Sequence, residues 1–122
     1  MSNLREYRRG DVVLLPFPFV SDLSQTKERP ALVVQNNVGN RFSPNLIVAA
    51  ISSRLPKRAY PTLYVIRAGS AEAQDAGLAR DSAVDASVLL TIPKTRVSQR
   101  LGRLSDQAMQ EVNQSLRVSL AL

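Results

Sequence analysis

Arg29 stands directly before Pro30, and Ser52 directly before Ser53. A residue that precedes proline is held in an extended conformation, so Arg29 is fixed at the mouth of whatever loop leads into it. If residues 30–36 and 46–52 pair as a symmetric hairpin, with Asn36 opposite Leu46, then Pro30 faces Ser52. Arg29 then lies beside Ser52 and Ser53. One planar guanidinium and one or two hydroxyls would converge at a single strand end, an arrangement suited to gripping a phosphate. The same residues also fit a plainer role: a surface ion pair of Arg29 with Glu28 or Asp22, and serines that bond locally or to water.

What is missing narrows the chemistry further. The chain has no His and no Cys, so it lacks the usual general base near pH 7, thiolate or imidazole metal ligands, and disulfides. Its ten acidic residues are scattered, with no closely spaced pair to suggest a Mg²⁺ site. No glycine-rich phosphate loop and no G-x-S-x-G elbow is present. No metal or cofactor is therefore expected. An enzyme built on this chain must need little acid–base help, and RNA cleavage meets that condition. The substrate supplies its own nucleophile, the 2′-hydroxyl. The protein has to align the phosphate and stabilise the charge that grows on it.

Sixteen Lys and Arg residues oppose ten Asp and Glu, for a net charge of +6 and a pI near 10.5. All but three of the basic residues are Arg, which grips phosphate through a planar fork of donors. Such a surface attracts a polyanion, although net charge alone fits a merely solubilising surface equally well.

The elements that would position these groups are short. The length of 122 residues fits one domain, 1–122, and the 44% apolar content fits a packed core. No apolar run approaches the roughly 20 residues of a membrane span, and the polar first residues hold no signal core. The expectation is a cytoplasmic protein with no membrane contact. Asp11 to Phe17 reads as a first strand with Val13, Leu15 and Phe17 on one face and Val12 and Leu14 on the other, both faces covered. Residues 19–28 read as a polar loop. Strands are expected over 30–36, 46–52, 62–66 and 87–92, with a short sixth over 96–101. The stretch 37–45 reads as a turn and 67–85 as irregular. At the end, Ser105 fits a helix N-cap, Leu104 and Met109 a hydrophobic staple, and Met109, Val112, Leu116 and Leu120 one apolar stripe. Five or six strands and one terminal helix predict a small, mostly antiparallel β-barrel whose closure removes strand edges.

The segments RGDVV (Arg9 to Val13), PFPF (Pro16 to Phe19), RPALVVQ (Arg29 to Gln35) and NNVGNRFSPNLIVAAIS (Asn36 to Ser52) together resemble the MazF/PemK toxins. IPKTRVSQRLGRL, Ile92 to Leu104, is similar to that family's later basic strand, and the terminal helix matches as well. The resemblance covers nearly the whole chain. It implies an SH3-like barrel, a homodimer, and metal-independent, sequence-selective cleavage of single-stranded RNA by 2′-hydroxyl attack. It also implies the toxin half of a type II toxin–antitoxin pair, neutralised by a cognate antitoxin.

Carried over by position, the resemblance puts the catalytic arginine at Arg29 and the strand-end hydroxyl at Ser52, where the family has Thr. Arg29 would stabilise transition-state charge, and Ser52 would donate to a non-bridging oxygen. Ser53 is an auxiliary hydroxyl. The family's loop glutamate has no clear match, which leaves Asp22 and Glu28 as auxiliary bases. Gln35, Thr95 and Arg96 would position RNA. Two other readings stay open: a non-enzymatic toxin such as the gyrase-binding CcdB type, and a barrel that binds nucleic acid without cutting it. The first acts through a terminal Trp-Gly-Ile, whereas this chain has no Trp and ends Leu120-Ala121-Leu122.

Overall fold

The computed structural model describes residues 6–17 and 27–122. In chain order the elements are β1 (Asp11–Phe17), β2 (Lys27–Val33), α1 (Asn37–Phe42), β3 (Asn45–Ser52), β4 (Leu63–Ile66), α2 (Ala71–Ala76), β5 (Ser82–Pro93), a 3-10 turn (Lys94–Arg96), β6 (Gln99–Arg103) and α3 (Asp106–Leu120). The strands form one antiparallel sheet in the order β4-β5-β3-β2-β1-β6. The sheet is a curled half-barrel. Among the described residues β4 and β6 do not pair with each other, so the expected closure by hydrogen bonds is not made.

Both faces of the sheet are covered, as the alternation in β1 requires. Val12, Leu32, Ala49, Ile51, Ile66 and Val84 pack under α2 and α3. Val13, Leu15, Phe17, Ala31, Val33 and Val48 form a second cluster on the opposite face, with Ile92 and Val97. Truncating a fully buried residue such as Leu32 to Ala would cost about 2–5 kcal/mol. At the end of the chain, Ser105 caps α3 by accepting from the Ala108 N–H at 3.1 Å, and Leu104 and Met109 are buried beside it. Val112 is buried and Leu116 packs against the core, but Leu120 is 50% exposed, so the apolar stripe meets the core as far as Leu116.

Three local expectations change. The link between β2 and β3 is a helix, not a turn, because Asn36 caps α1 by accepting from the Gly39 N–H at 2.7 Å. The hairpin is therefore not symmetric about Asn36 and Leu46. The register is Ala31↔Ala50, Leu32↔Ala49 and Val33↔Val48. The supposedly irregular stretch holds α2, capped by Ser70 and ended by Gly77 in the left-handed region at φ 71°, and also the first residues of β5. β5 begins at Ser82 and runs to Pro93, because Leu89 opposes Ala49 while Asp85 opposes Ala50. Ala86, Ser87 and Val88 thus form a bulge that bends the strand around the core. The basic stretch near residue 96 is a 3-10 turn, and β6 starts only at Gln99.

The RGD segment anchors the sheet. Gly10 takes φ +100°, its N–H donates to the Val33 carbonyl, and its carbonyl accepts from Leu104. Arg9 ties three elements together through Asn37, the Val34 carbonyl and Asn113, and burial pulls its guanidinium pKa down from the ordinary value. Asp11 is buried and ion-paired with Arg100 at 3.1 Å.

Candidate functional site

A cleft of about 550 Å³ opens at the end of the sheet where β2 begins and β3 ends. Its floor is apolar, made by Pro30, Ile51, Leu78 and Leu101. Among the described residues its rim carries four cations, Lys27, Arg29, Arg54 and Arg80, against a single carboxylate, Glu28. Ser53 and Ser82 add hydroxyls to the wall. Such a rim attracts an anion, and the excess of Arg favours phosphate.

Arg29 lies within β2, opposite Leu15 of β1. It is half-buried, and its Nε is shielded from solvent. The last β2–β3 pair is Ala31↔Ala50. Two residues further along each strand are Arg29 and Ser52, and an even offset keeps each on the face of its predecessor. Arg29 and Ser52 therefore come level with one another on one face at the strand end, although the register is shifted by one from the expected hairpin. The Ser52 Oγ accepts from the Arg54 N–H at 3.0 Å, while its own proton reaches the Arg54 carbonyl only at 3.4 Å. The oxygen is thus fixed and its O–H weakly committed, free to turn toward a better acceptor such as a phosphate oxygen. Ser53, next along, is exposed on the cleft wall.

Glu28 is exposed beside Arg29, and both its carboxylate oxygens accept from the Ser98 hydroxyl at 2.7 and 2.8 Å. Ser98 in turn is held by its N–H to the Leu14 carbonyl at 2.8 Å. Glu28 is thereby oriented from β6's side of the sheet. Asp22 lies outside the described residues. Thr95 and Arg96 are both exposed on the 3-10 turn that leads into Ser98.

Gln35 stands apart from this group. It lies six residues beyond Arg29 along the β2 direction, roughly 20 Å away at strand rise. Its amide donates to Asn40 Oδ1 and to the Asn45 carbonyl, bracing α1. The structure does not bring Gln35 to Arg29.

Lys27, Arg54 and Arg80 are site cations that sequence reasoning missed. Each is an isolated basic residue at a strand end or in a loop, in a chain rich in Arg, and nothing local marks it. Only the folding together of β2, β3 and the α2–β5 loop brings them around one cleft. Among the described residues no three His, Cys, Asp or Glu side chains cluster as metal ligands. Nor, among them, is any helix long and apolar enough to cross a membrane.

Comparison with known proteins identifies the family and the fold. Residues 8–120 match a family described as PemK-like, MazF-like toxin of type II toxin–antitoxin system. Endoribonuclease EndoA of Bacillus subtilis (strain 168) is 39% identical over 115 residues, spanning 94% of this chain and 95% of that protein. Endoribonuclease MazF of Staphylococcus saprophyticus is 38% identical, over 94% of this chain and 92% of its own length. In fold, the chain superposes with TM-score 0.72 and 23% identity on an endoribonuclease solved in complex with its cognate antitoxin, from mycobacterial species, covering 95% of this chain and 96% of that one.

Proposed function

This chain belongs to the PemK-like, MazF-like toxins of type II toxin–antitoxin systems, and from that membership we infer that it is an endoribonuclease whose cutting centre is the Arg29–Ser52 strand end. The observation that carries the placement is the levelling of Arg29, which lines the cation-rimmed cleft, with the Ser52 hydroxyl at the same strand end. The substrate is single-stranded RNA, whose unstacked backbone can enter the cleft end.

In the reaction the 2′-oxygen bonds to the adjacent phosphorus while the P–O5′ bond breaks. The products are a 2′,3′-cyclic phosphate and a free 5′-hydroxyl. Glu28, oriented by Ser98, takes the 2′-proton, and the leaving O5′ takes up a proton from water. Arg29 offers two parallel N–H donors to the phosphate and holds its growing negative charge. An arginine stays protonated at any ordinary pH, so charge stabilisation rather than proton donation is its contribution. Ser52 gives its weakly held O–H to a non-bridging oxygen. No step calls on a metal ion.

The protein acts in the cytoplasm, where its substrate is, and as a homodimer. Its partner is an antitoxin with an acidic segment that occupies the same cationic cleft that RNA would take. The mycobacterial relative solved with its cognate antitoxin supports that pairing.

The test is to incubate the purified protein with a long single-stranded RNA in EDTA and map the new ends. Cleavage with cyclic-phosphate and 5′-hydroxyl ends is expected, reduced at least 100-fold in Arg29→Ala. RNA binding without new ends, or an Arg29→Ala protein as fast as wild type, overturns the assignment.

A further inference from the structure

Arg29 lines one side of the cleft, level with Ser52 at the strand end, and the proposed chemistry leaves the cleft's floor and far wall unaccounted for. That floor is rigid. Ile51 is buried, and Leu78 and Leu101 pack against the main core cluster while lining the opening. Leu78 is also pinned through its backbone, whose N–H donates to the Ala73 carbonyl at 2.9 Å. The preceding Gly77 is pressed against β6, where an added Cβ would lie 2.2 Å from the Leu101 carbonyl oxygen. On the far wall the Arg80 backbone is fixed by the Ser82 hydroxyl, which donates to its carbonyl at 2.8 Å. The Arg80 and Arg54 side chains are exposed above the apolar floor.

An apolar floor backed by core, ringed by cations and large enough for a small ligand, matches one chemical shape closely. That shape is an unstacked nucleotide, with an apolar ring face and an anionic phosphate on its edge. Among the described residues no aromatic side chain lines the cleft, so a ring would be gripped by aliphatic contact and excluded volume rather than by stacking.

We propose that the cleft seats one nucleobase of the RNA on Leu78 and Leu101, with Arg80 and Arg54 holding that nucleotide's phosphate. Leu78 sets which base is accepted and Arg80 holds it in place, so this loop is a specificity element for the nucleotide next to the cut. The inference rests on the endoribonuclease reading for its substrate, but not for its measurement.

The experiment uses two RNA probes with wild type, Arg80→Gln, Leu78→Ala and the distant surface control Arg117→Ala. One probe is a cleavable RNA set with all four bases at each position flanking the cut. The other is the same set fully 2′-O-methylated, which lacks the nucleophile and reports binding alone. Arg80→Gln is expected to raise KM about tenfold alike for every sequence and to lower the slope of log affinity against log salt by about 0.7. Leu78→Ala is expected to relax the preference among bases by about tenfold at one flanking position and nowhere else. Should Leu78→Ala melt too low to assay, the volume-conserving Leu78→Met serves in its place, with a smaller shift at the same position.

Wild-type KM and salt slope in Arg80→Gln, or unchanged base preference in a folded Leu78 variant, overturns the proposal. A wild-type protein that binds the methylated RNA with these dependences but never cuts the cleavable one would instead sink the endoribonuclease reading and leave the base seat standing.

Discussion

Arg29 sits before a proline, and the strand it belongs to begins only two residues earlier, at Lys27. Its backbone is set by neighbours on both sides, and its Nε is shielded from solvent, so the side chain leaves the strand from a fixed point. Geometry of this kind makes charge alone insufficient. Arg29→Lys keeps the positive charge but replaces a planar fork with a point donor. We expect cleavage by Arg29→Lys to fall by about 100-fold, measured as kcat on a defined RNA. Ser52→Ala should lose about 100- to 1000-fold, and Ser52→Thr, which keeps the hydroxyl, should stay within a few-fold of wild type. Equal losses in the Ala and Thr variants would mean that packing, not the O–H, is what Ser52 supplies. In the sequence each of these two residues carries a positional mark, a following proline in one case and a strand end in the other, and the family resemblance is what singles them out; the structure brings them level at one strand end. Gln35 carried a weaker mark, as an RNA-positioning residue, and its amide is engaged in holding α1. Arg54 and Arg80 had no mark at all, since an exposed loop arginine looks the same whether or not a cleft lies beneath it.

At the scale of elements, the strands and the terminal helix could be read from period-two and period-three-to-four spacing, and the two short helices could not. A six-residue helix such as α1 spans under two turns, too few for an apolar stripe to repeat. Its stability comes from the Asn36 cap and from Asn40, which is buried and bonded to the Gln35 carbonyl and Asn37. Those partners are polar and local, so they resemble a turn. The bulge in β5 is hidden for a similar reason, because Asp85 to Ser87 interrupts the alternation that marks a strand.

Gly77 shows what such an element can tolerate. It combines a left-handed backbone with contact against Leu101, so Gly77→Ala should cost at least 1–3 kcal/mol and lower the melting temperature. It should also raise KM for RNA more than it changes kcat, because the loop that follows lines the cleft. A fully stable Gly77→Ala protein would show that the contact is not rigid.

Tyr64 links β4 to α2 through its hydroxyl, which meets both Glu72 carboxylate oxygens at 2.7 Å. Burial first, then that bond and the Glu72 charge, raises the phenol's pKa above its ordinary 10.0. A raised phenol pKa stabilises the fold at every pH below 10, and the contribution fades as pH climbs above that value. Denaturant melts from pH 9 to 11 should therefore show less alkaline loss in Tyr64→Phe than in wild type.

For the molecule as a whole, the net charge of +6 governs encounter with RNA, and the absence of His governs its response to pH. No side chain of an ordinary pKa between 5 and 8 is present to gate the reaction. The rate of cleavage from pH 6 to 8 should then be nearly flat, and Glu28→Gln should lower it by about 100-fold or more. A rise of about tenfold per pH unit, unaffected by Glu28→Gln, would show that hydroxide takes the proton and Glu28 does not.

The two margins of the sheet are unequal. α2 is pressed against β6 so closely that a Cβ on Gly102 would lie 2.1 Å from the Asp75 carbonyl oxygen, whereas β4 ends the sheet at the other side, paired among the described residues only with β5. Among the described residues, that second side is the margin open to extra β-structure. Two molecules joined there would consume the free margin of each, so growth would stop at a pair and no fibre could lengthen from intact copies. A toxin made in excess of its antidote would in this way be spared one common route to precipitation.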